Sequence, residues 1–464
     1  MKKKMISSVK SPHVFVLLFT LVFLASILTY IVPAGEFVRV EDTITAQNIV
    51  VPGSYHLTES SSVAPWLIPI KFFETLTNAK ISKLIFFIFL IGGAFEVIMQ
   101  SGCIASICKR MIAIFEKRGI LIVPVFILFF SVFGFSMGLT TASTVFVPIG
   151  IALARALGFD DLTGAAMVML GTNAGFAAGI YNPFSVGIAQ SLAEVPMFSG
   201  AWIRWLLLVA LLVLTSLYIM KYANTSKSLI NIKGTEQKAL WETVQNTESD
   251  SNTIKQVLVL CLFAITLCII TFGVSNLDWG IQEIAVSFFI LGIIAGLLSG
   301  FGANKTCEIY LSGCKKMMKG AFIIGIAATM RTVLFEGGIL DTVAYHLMDV
   351  VNELPSWAQL LGMFYANAAI DPIITSGSAH AAVVVPIMVP MADAMQLSRQ
   401  SAVFAFQLGD GLVNLISPIS TTLTSCLAVS GISYGKWLRF FLPLVGIYMI
   451  VGTGFIVLAS LTGY

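Results

Sequence analysis

The chain has 464 residues, 57% of them hydrophobic and 11% charged, with a net charge of +3 and a mean hydropathy of +0.91. No soluble domain has this balance, and apolar runs of about 18 residues or more recur along it, which predicts an all-α polytopic protein with the lipid bilayer as its solvent. The small net charge excludes a nucleic-acid binder; the Lys and Arg residues matter instead for orientation.

Lys2, Lys3, Lys4 and Lys10 precede an apolar run from Val14 to Val32. The run is longer than a signal-peptide core of roughly 7–15 residues, so it reads as a retained first span with a cytoplasmic N-terminus. Residues 34–65 are polar, alternating and poor in positive charge, and belong outside. Trp66–Lys80 is a short amphipathic piece at the interface, and Leu84–Met99 returns inside, where Lys109, Arg110, Lys117 and Arg118 collect.

The stretch 120–157 has two short apolar limbs, Ile120–Phe135 and Val145–Leu157, joined by a polar turn over Thr140–Thr144. It reads as a re-entrant hairpin. Next comes a span over 162–192 that is expected to break at Thr172–Pro183 and to resume at Phe184. Trp202–Met220 brings the chain back inside. These elements make up a first repeat over 1–222, and a lysine-rich cytoplasmic linker follows over 223–255.

The second part, 256–464, starts with an extra span, Val257–Val274, followed by Ile284–Leu298 and Ala321–Phe335. Gly337–Glu353 is an outside arm with acids and no Lys or Arg. A second hairpin, 357–395, turns at TSGSAH (Thr375–His380). A second broken span covers 401–429, interrupted at Gly409–Ser417, and Phe440–Leu461 ends outside.

The two parts match. Setting Pro148 against Pro386 puts Gly171-Thr172-Asn173 against Gly409-Asp410-Gly411 without a gap, and Asn182-Pro183 meets Ser417-Pro418 after a short deletion. Because the extra span adds one crossing, the two repeats are inverted, each with a re-entrant hairpin and a broken transmembrane helix. Paired interruptions of this kind point to a secondary transporter's binding site, since broken backbone at membrane depth is tolerated only inside protein or beside a cavity. Glu96 and Arg331 lie one residue apart in this alignment and are expected to serve structure, as a pair. Arg155 and Asp160–Asp161 need no more than a solvated role.

Helix N-termini at hairpin tips favour a carboxylate. Thr140, Thr141, Ser143 and Thr144 add hydroxyls at the first tip, and Thr375, Ser376 and Ser378 at the second. Oxygen-only ligands also suit Na⁺, with Thr172, Asn173 and Asp410 as candidates through unwound carbonyls over Thr172–Ala174 and Asp410–Leu412. Asp410 is a carboxylate in an otherwise uncharged membrane segment, fit to bind Na⁺, a proton or a substrate ammonium. Asn173 and Asn414 are candidate orienting amides. His380 titrates near neutrality in water and also suits a structural hydrogen bond, and Asp371 before Pro372 also reads as the end of a hairpin limb. The seven cysteines show neither CxxC spacing nor flanking His, and read as reduced core residues.

At family level, the opening PHVFVLLFTLVFLASILTYIVPAGEF, the segment NPFSVGIAQSLAEVPMFSGAWIRW and the run TSGSAHAAVVVPIMVPMADAMQLSRQSAVFAFQLGDG resemble the DcuC/YfcC family of bacterial inner-membrane carriers, within the ion transporter superfamily. The resemblance spans nearly the whole chain. It implies a homodimer in which a scaffold domain supports a mobile transport domain working as an elevator. It also implies small substrates: C4-dicarboxylates in one branch, amino acids, including arginine/ornithine exchange, in others. His380 stands where the family pattern leads one to expect an amide.

The expected function is therefore ion-coupled secondary transport, by symport or exchange with Na⁺ or H⁺, of small carboxylates or amino acids; an arginine/ornithine-type antiporter is the alternative to a dicarboxylate carrier. A channel suits two closing tips less well. No GxSxG, HExxH or Walker A occurs, so no enzyme and no cofactor is expected. Neither tip carries Lys or Arg, and by charge balance this leans towards a zwitterionic or cationic amino acid, or a carboxylate accompanied by cations.

Overall fold

The computed structural model describes the chain except residues 1–13, 42–47, 52, 60, 105, 107–115, 139, 141, 228–252, 278, 350–354, 373 and 418–419. Thr141 and most of the linker thus lie outside the described residues. Among the described residues, seven helices are long and apolar enough to cross a membrane.

The first bundle is built from α1 (Val14–Leu28), α2 (Ile68–Thr77), α3 (Ala79–Gln100), α9 (Thr253–Asn276), α10 (Ile281–Leu298) and α11 (Gly302–Glu336). α3 lies along α10 and α11, and α1 and α2 pack on α11. At 35 residues α11 is about 52 Å long, well beyond the roughly 30 Å apolar layer. It runs unbroken through the lysine cluster at Lys315–Lys319, which sequence reading leaves outside the span. Between α1 and α2 the polar segment forms two small antiparallel ribbons, β1 (Gly35–Glu36) with β4 (His56–Leu57) and β2 (Arg39–Glu41) with β3 (Asn48–Val50).

The second bundle holds α4 (Ile122–Met137), α5 (Val147–Ala156), α6 (Asp161–Ala178), α7 (Val186–Leu192), α8 (Ala201–Lys227), α13 (Ser356–Ile370), α14 (Gly377–Ala394), α15 (Arg399–Val413), α16 (Thr421–Ser430) and α17 (Tyr434–Thr462). α4 and α5 both pack on α6, α13 and α14 both pack on α15, and α6 crosses α15. Serine and aspartate set several helix starts: Asp160, Ser398, Ser420 and Ser433 each accept a hydrogen bond from a first-turn N–H. Asp160 also accepts from the Thr163 hydroxyl and from Tyr222, and Arg155 grips Asp161 at 2.6 and 2.7 Å. The Arg155–Asp160–Asp161 group therefore caps and ties a helix start. α14 joins the bundles, packing on α11 and on α12 (Leu340–Asp349).

Several expectations need correction. The first interruption does not begin at Thr172: α6 stays helical to Ala178, and the break covers 179–185. Gly134, Gly171 and Gly175 explain why, because a Cβ at any of them would meet the backbone of the facing helix, α6 or α4. Glycines that read as helix breakers here bring two helices into backbone contact. Likewise, α15 continues to Val413 and is interrupted from Asn414 on, with the next helix starting at Thr421; Gly409 lies against Asn367 and Gly411 against Ala177. The carbonyls of Thr172–Ala174 and Asp410–Leu412 are thus in helix, not unwound.

The linker is shorter than 223–255, since α8 runs to Lys227 and α9 starts at Thr253. The arm after Gly337 contains α12, whose Asp341 binds Arg39 at 2.7 Å and the Phe37 N–H. Finally, Glu96 pairs with Lys316 at 2.7 Å rather than with Arg331. Arg331 instead lines a cavity of about 490 Å³ between the bundles, with Glu74, Asn78, Glu194, Thr332 and Glu336.

Candidate functional site

In both breaks protein groups meet backbone polar atoms that helix no longer pairs, as membrane depth requires. In the first, Gly179 ends α6 in the left-handed region at φ 56°. The Tyr181 N–H then bonds the Phe135 carbonyl at 2.9 Å, and Asn182 accepts from the Phe184 N–H while donating to Ser185. In the second, Trp437 and Tyr434 of α17 donate to the carbonyls of Leu415 and Ile416, and Ser417 donates to the Pro372 carbonyl of the second tip.

The two interrupted helices are tied together. Asn173 donates to the Gly411 carbonyl at 3.1 Å, and Gln407 donates to the Phe176 carbonyl at 2.6 Å. Arg204, fully buried on α8, reaches the Gly179 carbonyl at 3.3 Å, where a cation suits the negative end of α6. Sequence reading misses Arg204 and Gln407. A charged residue inside the apolar run Trp202–Met220 was the available signal for Arg204.

At the first tip, Ala142–Phe146 forms a turn of 3-10 helix. Ser143 is buried and donates to the Thr140 carbonyl at 2.5 Å. Thr144 lies 3.2 Å from Cys426 on α16, so this tip touches the broken helix of the other half. The Thr172 hydroxyl bonds back to the Val168 carbonyl, which leaves it little freedom as a ligand.

The second tip is different in kind. Here Asp371 at the end of α13, His380 in the first turns of α14 and Asp410 in α15 converge, all three fully buried. One ligand atom from each lies within 4.8 Å of the others. His380 Nδ1 sits 3.1 Å from Asp410 Oδ1, and the imidazole stands edge-on to Phe406 at 5.2 Å. Both carboxylate oxygens of Asp371, Asp410 Oδ2 and His380 Nε2 have no hydrogen-bond partner among the described residues. Such groups are costly in a medium without water unless a cation or a proton joins them.

Gly377 makes this approach possible: a Cβ there would lie 3.0 Å from Asp410 Oδ2 and 3.1 Å from the Phe176 ring. Asp410 thereby faces the N-terminus of α14, whose free N–H groups and dipole favour its charge. Ser376 and Ser378 pair with each other at 3.2 Å beside it, and Asn414 ends α15. The predicted residues thus fall into separate groups. His380 and Asp410 meet, Asn173 bridges the two broken helices, and Thr140, Ser143 and Thr144 stand at the other tip. No hydrogen bond among the described residues links tip to tip.

The whole-chain comparisons agree with a transporter. The family model described as "DcuC: C4-dicarboxylate anaerobic carrier" matches residues 11–461. A protein of Escherichia coli (strain K12), named "Putative basic amino acid antiporter YfcC", is 27% identical across 98% of this chain and 97% of its own length. An uncharacterized Haemophilus influenzae protein is 25% identical, with 95% of each chain covered. Among solved structures, the Alcanivorax borkumensis YdaH transporter superposes with a TM-score of 0.73 at 15% identity, covering 98% of this chain and 99% of that one. Neisseria gonorrhoeae MtrF, from a class titled antimetabolite efflux pumps, gives 0.73 at 16% identity, covering 97% and 95%. Those two likenesses concern the fold.

Proposed function

Because the chain belongs to the DcuC family and is a multi-pass membrane transporter, we propose that it is an ion-coupled secondary carrier for amino acids that bear a cationic group. One observation carries the cargo class: two carboxylates, Asp371 and Asp410, are buried together at the second tip, and neither tip carries Lys or Arg. A substrate ammonium or guanidinium would satisfy the unpaired oxygens, whereas a dicarboxylate would add repulsion to them. The name of the Escherichia coli relative supports this choice over a C4-dicarboxylate. The amino acid's carboxylate has the free N–H groups at the start of α14 to meet it.

The carrier works as a homodimer of the bacterial inner membrane. The bundle of α1–α3 and α9–α11 stands still, and the bundle with the two tips carries the cargo as an elevator. Its two hairpins are re-entrant and belong to inverted repeats. The N-terminus faces the cytoplasm, as the four lysines before α1 favour. A cysteine at exposed Ser61, on a background free of native cysteines, should react with an impermeant thiol reagent in right-side-out vesicles; protection there would invert this orientation.

Transport is tested by counterflow in proteoliposomes loaded with lysine, ornithine, alanine or succinate. Saturable exchange of a basic amino acid, lost in Asp410→Asn with folding intact, is the expected result. Exchange of succinate without competition from lysine would overturn the cargo class. Flux that rises linearly without counterflow would replace the carrier by a channel.

A further inference from the structure

Two carboxylates and an imidazole, fully buried with their ligand atoms inside 4.8 Å, cannot all stay in their usual aqueous charge states with nothing else bound. Charged neighbours do not solve the problem. On α14 and α15 the other charged groups, Asp393 and Arg399, pair with each other at 2.7 Å at the opposite ends of those helices. α13 offers only Tyr365, which is exposed and bonded to Thr453. In α6, Asp161 is held by Arg155, and α7 has no charged residue. From α11 and α12, which pack on α14, Glu336 binds Lys71 and Asp341 binds Arg39, while Arg331 lines the cavity between the bundles and His346 meets Tyr345 edge-on at 5.5 Å. On α17, which packs on α13 and α15, Tyr434 bonds the Ile416 carbonyl, Lys436 lies 3.6 Å from Asp160, Arg439 lines another cavity with Tyr218 and Tyr222, and Tyr448 bonds Thr215, so the three groups are left to one another.

We propose that Asp371, His380 and Asp410 form one exchange site that holds either a proton or the cationic group of the cargo, never both. This rests on the cargo class argued above and adds the coupling ion and its stoichiometry. In the empty site, Asp371 keeps a proton and faces Asp410, which accepts a hydrogen bond from His380 Nδ1–H. When the cargo's ammonium arrives it donates to the oxygens of Asp371 and Asp410 that lack partners. The Asp371 proton then leaves to the water on whichever side the site is open. On release the same carboxyl takes a proton back from that side's water. No bond other than O–H is made or broken, and the proton lost equals the proton regained. Antiport follows because each occupant excludes the other.

The purified full-length protein in detergent provides the test, with lysine as the probe. Infrared difference spectra should show a protonated carboxyl band near neutral pH that is absent in Asp371→Asn. Lysine binding should bleach that band and release about one proton per lysine into a weak buffer. Below the pH at which Asp371 becomes protonated, the apparent Kd for lysine should rise about tenfold per pH unit. Absence of the carboxyl band overturns the proposal whatever lysine does. Lysine that binds without releasing a proton overturns competition while sparing the cargo class. Lysine that does not bind overturns the cargo class and the exchange step with it, and the band then stands as the sole signature of a buried proton. Loss of the band on adding Na⁺ at fixed pH reassigns the site to a metal ion.

Discussion

At the first tip the Ser143 hydroxyl turns back onto its own chain and the flanking helices are locked to α6 by glycines. At the second tip three ionisable side chains face one another with oxygens unpaired, and the hairpin helix α14 leans on the other bundle. Both halves have a tip and an interrupted helix, yet only the second tip gathers ionisable side chains. The two tips share a layout and differ in chemistry. The first tip is closed on itself, the second holds carboxylate oxygens without partners among the described residues, and the bonds from Asn173 and Gln407 tie the two interrupted helices together.

This contrast can be broken most forcefully at the glycines. In Gly175→Ala the new methyl would run into the Ser131 carbonyl and the Phe135 N–H of α4, both backbone. A loss of about 3 kcal/mol is expected, read as a lower thermal midpoint in detergent. Gly362→Ala, in the second hairpin, meets nothing within 4 Å and should be neutral or gain up to about 1 kcal/mol from helix propensity. Equal losses at both positions would mean that the hairpin helix at Gly362 is packed as closely as the α4–α6 contact at Gly175.

The smallest effect sharpens the comparison. Ser143→Ala removes a hydroxyl already engaged by the Thr140 carbonyl, so stability should fall by about 1 kcal/mol with cargo affinity within about threefold of wild type. A loss of affinity of about tenfold or more, measured by equilibrium binding, would put the first tip against the cargo and make the site two-sided.

Much of the architecture was legible in the sequence because its signals are local. Long apolar runs give the spans, and Gly, Pro and Asn mark two interrupted helices. The interruptions came out late in each helix, at 179–185 and from Asn414 on, because Gly171, Gly175, Gly409 and Gly411 have two meanings that sequence does not separate. A glycine ends a helix or lets another helix touch it, and only the partner decides. The site was legible in parts. His380 and Asp410 stood out singly as polar groups in apolar segments, while Asp371, next to Pro372, read equally well as the end of a limb. That the three meet depends on how α13, α14 and α15 pack, which no local pattern records. Arg204 and Gln407 were missed because a single polar residue barely disturbs an apolar run.

The shared occupancy of Asp371, His380 and Asp410 has an electrical consequence. Carrying one elementary charge across 100 mV is worth about 2.3 kcal/mol, or roughly fiftyfold in an accumulation ratio. A proton and a monocationic amino acid bring the same net charge into the same pocket, so the two strokes of the cycle move equal charge in opposite directions. The membrane voltage then cancels from the driving force, and the pH difference and the two amino-acid pools alone set the direction of net flow. A zwitterionic cargo exchanged for the same proton would not cancel, and its transport would follow the voltage.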